Sequence, residues 1–215
     1  MEKKETTVII PDGNVMLPGI LEIPQGAKGI VIFAHGSGSS RFSPRNSYVA
    51  EVLRQHGLAT LLMDLMTPEE DRVYEGRFDI PLLTRRLLAA TKWLKEQEKT
   101  SRLTIGYFGA STGAAAAIEA AAALGEEIGA VVSRGGRPDM AMPYLDRVKS
   151  PTLLIVGGHD YTVMELNEKA YEKITAVKEL KIVPRAGHLF EERGALESVA
   201  ELASEWFEKY LKGYI

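Results

Sequence analysis

Short apolar runs rich in β-branched residues alternate along this chain with longer stretches of helical periodicity, and that alternation leaves few folds open. Gly29 to Ala34, Leu58 to Met63, Leu103 to Phe108, Ala130 to Ser133, Thr152 to Val156 and Glu179 to Val183 read as strands. Runs such as Gly29 to Ala34 lack polar alternation, the mark of a strand covered on both faces. Asn46 to His56, closed by Gly57, and Ala114 to Leu124, closed by Gly125, read as helices with glycine stops. Ile80 to Lys95 places Leu82, Leu83, Leu87, Leu88 and Trp93 on one side of a helix. Val163 to Lys173 and Ala195 to Leu211 complete the helical set. Strand–helix alternation predicts an α/β architecture, a mostly parallel sheet with helices on both faces. Thr6 to Ile10 and Val15 to Ile23, joined by the turn Pro11-Asp12-Gly13-Asn14, predict an antiparallel hairpin at one sheet edge.

No linker, repeat or charge block divides the 215 residues, so one domain over residues 1–215 is expected. The 26 basic and 29 acidic residues give a net charge of -3 with no basic stripe, which argues against nucleic acid as a partner. There is no cysteine, which excludes disulfides, thiol catalysis and cysteine metal sites. Four histidines without metal-ligand spacing give no metal site, and no cofactor is expected. Met1 to Thr7 is charged and polar, and no signal-like apolar core follows it. Ala114 to Leu124 is the longest apolar stretch; it contains Glu119 and falls short of the ~20 residues of a membrane span. A soluble cytoplasmic protein with no membrane partner is the expectation. Nothing in the sequence speaks to oligomeric state.

Chemistry concentrates where strands end, and ligand sites in parallel sheets lie beyond the carboxyl ends of the strands. Gly109-Ala110-Ser111-Thr112-Gly113 lies between a strand and an alanine-rich helix. This is the layout of a nucleophile elbow, a turn tight enough to strain the serine and to demand small residues two positions either side. A Gly/Ser turn that merely caps the helix is the rival reading. A serine needs a base, and His188, in Ala186-Gly187-His188-Leu189-Phe190 after the last strand, is the candidate. Asp160, in Gly157-Gly158-His159-Asp160 after the preceding strand, is the candidate to orient that histidine. A helix N-cap is its rival role. The chain order Ser, Asp, His is the one used on this layout. An oxyanion needs two backbone N–H donors; the amides of Thr112 and of Ser37, in His35-Gly36-Ser37-Gly38, are the candidates. His35 is read as a brace for that loop.

Arg41, Arg45, Arg134 and Arg137 all lie in loops following strands, and Arg41 and Arg134 are candidates to bind an anionic substrate group, with Tyr161 as apolar wall; plain surface solvation is the rival reading for each arginine. Met140 and Met142 fit either a pocket wall or the core. No inserted cap domain is visible. Met66 to Asp79 is the longest unassigned stretch, a candidate short lid over an otherwise open site suited to small esters.

These segments together resemble the dienelactone-hydrolase-like α/β hydrolases over nearly the whole chain. The likeness is closest to small bacterial hydrolase domains that occur alone or fused to a phosphoribosyltransferase, and Val132 to Asp139 contributes to it. The resemblance implies the α/β-hydrolase fold and an ester or lactone hydrolase working through an acyl-enzyme on a small molecule. Dienelactone hydrolases proper use a cysteine where this chain has Ser111, so the resemblance supports fold and triad more than a dienelactone substrate. Thioester, amide or carbon–carbon cleavage by the same triad, and a non-catalytic binding role, are the alternatives.

Overall fold

The structure is a computed structural model that describes residues 6–212; residues 1–5 of the charged N-terminal segment lie outside the described residues. Eight strands form one sheet: β1 (Thr6–Asp12), β2 (Val15–Glu22), β3 (Gly29–Ala34), β4 (Ala59–Met63), β5 (Thr104–Ala110), β6 (Ile128–Arg134), β7 (Thr152–Gly157) and β8 (Lys178–Val183). Their spatial order is β1-β2-β4-β3-β5-β6-β7-β8. β1 pairs antiparallel with β2, and β2 antiparallel with β4; all other pairs are parallel. The hairpin therefore caps one edge of a parallel sheet. Helices α1 (Pro44–Gln55), α2 (Pro68–Asp71), α3 (Ile80–Glu96), α4 (Thr112–Leu124), α5 (Tyr161–Lys173) and α6 (Ala195–Tyr210) surround it.

Period-two alternation divides the strand side chains between two cores. In β3, Ile30, Ile32 and Ala34 join the core under α3 and α4, while Val31 and Phe33 join the one under α1 and α6. Every residue of β3 and β4 is buried, as their lack of polar alternation requires. In α4, Ala114 to Ala117, Ile118, Ala120 and Ala121 are all fully buried. Methyl side chains let this helix lie close to the sheet, where larger residues would overpack.

The structure adds short elements to the sequence reading. The stretch after Met66 holds α2, a 3₁₀ turn at Tyr74–Phe78 and the start of α3. Thr67 and Glu70 form a reciprocal capping box around α2. A further 3₁₀ segment, Pro138–Arg147, carries the chain from β6 toward β7. Several ends differ by one to two residues; α5 begins at Tyr161 rather than Val163, and α4 at Thr112 rather than Ala114. Among the described residues no helix is long and apolar enough to cross a membrane.

Candidate active site

Ser111 sits between β5 and α4 with φ 51° and ψ -121°, one of three non-glycine residues at positive φ among those described. Such backbone costs about 1–3 kcal/mol and persists only where the surroundings enforce it. Here the enforcement is steric. A Cβ on Gly109 would lie 2.4 Å from Ala114 Cα, and one on Gly113 would lie 2.2 Å from the Ala34 carbonyl oxygen. Strand, turn and helix thus approach more closely than any side chain permits. Ser111 occupies the N-cap position of α4, yet its side chain makes no capping hydrogen bond. Its N–H donates to the Arg134 carbonyl at 3.3 Å, and its own carbonyl accepts from Ala114 and Arg137. The backbone is fixed while the hydroxyl is not spent on the helix.

Asp160 likewise stands at the N-cap of α5 without capping it. Its Oδ2 accepts instead from His188 Nδ1 at 2.6 Å. Since a carboxylate only accepts, Nδ1 carries the hydrogen and Nε2 is left as the acceptor. The two loops are sewn together by backbone: Gly158 N–H donates to Val183 and His159 N–H to Ala186, both at 2.9 Å. Glu192 accepts the Gly187 N–H at 3.0 Å, bracing the loop just before His188. Gly135 packs against the other side, since a Cβ there would lie 3.2 Å from the His188 carbonyl oxygen. Glu192 was not singled out from the sequence, and Gly135 only as part of the segment Val132 to Asp139.

Ser111 and His188 border one cleft of about 230 Å³, with Ser37, Arg45, Asn46 and Arg134 among its other walls. A larger groove of about 380 Å³ lies between the β1–β2 turn and α3. It contains no serine or histidine, and the exposed Arg85–Asp12 ion pair forms part of its wall, so it lacks the makings of a reaction centre.

The loop bearing Ser37 is held from below by His35. Nδ1–H donates to the Gly36 carbonyl at 2.9 Å, and Nε2 accepts from the Leu65 N–H at 3.0 Å. Burial lowers the His35 pKa and keeps the ring neutral, as the acceptor role of Nε2 requires. The expected lid stretch, residues 66–79, lies beside this loop. Arg77 approaches Gly38, anchored by two bonds to the Asp71 carbonyl at 3.0 and 2.8 Å.

The arginines separate. Arg134 lines the cleft and is 6% exposed. Its Nη2 donates to Asn46 Oδ1 at 3.2 Å, while its Nε is buried without a partner. Burial, and then the like charge of Arg45, push its pKa down to about 10. Arg41 does not line the cleft; its guanidinium pairs with Asp64, whose other oxygen takes the Arg41 N–H at 2.7 Å. Arg137 is held by both oxygens of Asp139 at 2.8 Å, which raises its pKa. Tyr161 is 63% exposed beside His159 and lies off the cleft wall. Met140 and Met142 pack against the core.

The chain resembles several known proteins. The crystal structure of a dienelactone hydrolase from Anabaena variabilis is 58% identical, with a TM-score of 0.95 over 99% of this chain and 100% of that one. Two Mycobacterium tuberculosis proteins, each called "Putative phosphoribosyl transferase", are 54% identical over 210 residues, covering 98% of this chain but 47% of theirs. The chain thus spans about half the length of those relatives. Est1E from Butyrivibrio proteoclasticus, at 17% identity, shares the fold with a TM-score of 0.81 over 94% of this chain and 98% of its own. Residues 17–213 match the dienelactone hydrolase family, and the chain, an α/β-hydrolase fold built around the Ser111 elbow, belongs to that family.

Proposed function

We propose that the protein is a serine hydrolase of small carboxylic esters or lactones, with Ser111 as nucleophile, His188 as general base and Asp160 as its orienting acid. The family supports ester or lactone hydrolysis in general. The observation that carries the finer reading is convergence: Ser111 and His188 face one cleft, and His188 is already bonded on its far nitrogen to Asp160.

In this mechanism His188 Nε2 takes the Ser111 proton as Oγ attacks the carbonyl carbon. Asp160 holds the tautomer that leaves Nε2 free to do so and stabilises the imidazolium that forms. The oxyanion is received by the amides of Thr112 and Ser37. Thr112 is the first residue of α4, so its N–H has no acceptor within the helix. Losing one such donor costs about 3 kcal/mol of barrier. His188 then returns the proton to the leaving alcohol. Next it takes a proton from water, which attacks the acyl-enzyme and restores Ser111.

The test is covalent. A fluorophosphonate is expected to leave one adduct, on Ser111, with p-nitrophenyl acetate turnover lost in Ser111→Ala. No adduct, together with equal turnover in both proteins, would hand the cleft to a non-catalytic binding role.

A further inference from the structure

The cleft beside Ser111 has a charge that ester hydrolysis does not call for. Its charged walls are Arg45 and Arg134, and among the described residues no aspartate or glutamate lines it, although acidic residues outnumber basic ones in the chain. Arg134 is more than nine-tenths buried, and among the described residues it has no carboxylate partner. Its one hydrogen-bond acceptor is the neutral amide oxygen of Asn46, and its Nε has none. Arg45 also buries its Nε without a partner, and among the described residues its one ion pair is a 3.4 Å contact to the exposed Glu191. Buried cations are ordinarily paired, because a charge taken from water needs a counter-charge. Two guanidiniums on one cleft wall, with a single exposed carboxylate at 3.4 Å from one of them, are a site arranged for an incoming anion.

The surroundings favour a tetrahedral oxyanion. Ser43 and Asn46, at the N-terminus of the 12-residue helix α1, line the same wall, and the positive end of the helix dipole adds to the field. The Ser37 and Ser39 hydroxyls border the cleft as further donors. A monoanion matches one guanidinium, whereas a dianion with several oxygens matches both. We infer that this wall of the cleft is a phosphate-binding subsite, with Arg134 and Arg45 as its cationic residues, and that the ester cleaved at Ser111 is carried by a phosphorylated small molecule. The substrate half of this statement rests on Ser111 being the reacting serine; the binding half does not.

Calorimetric titration of inorganic phosphate at pH 8, with acetate at matched ionic strength as the monoanion control, reads the subsite without turnover. Phosphate is expected to bind in the millimolar range or tighter and acetate about tenfold more weakly or not at all. Arg134→Gln is expected to weaken phosphate by about tenfold, the loss of one charge-assisted contact. Arg45→Gln, at a half-exposed position that the fold tolerates, is expected to weaken it several-fold. It keeps the test sharp if the buried substitution unfolds the chain. Phosphate should also slow fluorophosphonate labelling of Ser111 in the wild type. No phosphate binding, equal binding of acetate, or affinity unchanged in Arg45→Gln would each overturn the subsite. Phosphate binding that follows the arginines in a protein whose Ser111 never labels would keep the subsite and sink the hydrolase reading instead.

Discussion

Among the described residues two arginines are almost wholly buried, and they are buried in opposite ways. Arg86, in α3, is 0% exposed; its Nη1 donates to Asp12 at 2.5 Å and its Nη2 to Glu70 at 2.6 Å. It clamps three elements together: the β1–β2 turn, α2 and α3. Arg134, at the end of β6, has a neutral amide and the face of the Phe190 ring for partners, and among the described residues no carboxylate. Each leaves its Nε unbonded, and the main difference is counter-charge. Where the chain needs mechanical closure it neutralises the cation. Where the strained serine and the His188–Asp160 pair stand, it leaves one open.

The largest expected effect tests the functional half. Ser111→Ala should lower p-nitrophenyl acetate turnover by about 10⁴-fold or more while the urea midpoint stays put. If turnover survives, the cleft has no chemistry and the contrast loses its meaning. Next comes Arg86→Met, which removes the cation from between Asp12 and Glu70 and leaves two partly buried carboxylates without it. The cost should be about 3–5 kcal/mol in urea unfolding, with turnover per folded molecule little changed. Arg134→Met should behave inversely. No native ion pair is broken, so stability should be unchanged or rise by up to about 2 kcal/mol. A loss for Arg134→Met as large as that for Arg86→Met would mean that Arg134 is structural and that the comparison is false.

The sequence showed the half of this contrast that depends on local pattern. The runs that became β3, β4 and β7 are apolar on both faces, so burial followed from composition. The Ser111 elbow was legible because its steric demand is met within five residues. The order of Ser111, Asp160 and His188 was legible because each ends or follows a strand. Arg134 and Arg41 looked alike, since both follow strands; what separates them is Asp64, 23 residues from Arg41, and the missing counterpart of Arg134. Partners brought by the fold leave no periodic trace. The capping box of α2, by contrast, was present in Thr67, Pro68 and Glu70, but four residues are too few for a helical period to show. Tyr161 was drawn toward the site by its sequence neighbour Asp160. The first turn of α5 directs it to solvent instead.

His35 is a third way of burying a base and carries the smallest effect. The chain neither pairs it nor leaves it charged; burial holds it neutral, and Nε2 accepts the Leu65 N–H. The folded pKa lies below the ordinary 6.5, so below pH 6.5 the unfolded chain takes up a proton that the folded one refuses. Stability therefore falls as pH drops from 6.5 toward the lower folded value, by at most about 1.4 kcal/mol per pH unit for this one group. His35→Gln has no proton to gain. Its urea midpoint should lie below the wild type's at pH 8, for the imperfectly replaced brace, and the gap should narrow as pH falls through that window. His56, His159 and His188 are common to both proteins and drop out of the difference. Parallel pH curves would show that His35 titrates alike in both states, and neutrality by burial would then no longer distinguish it from the two arginines.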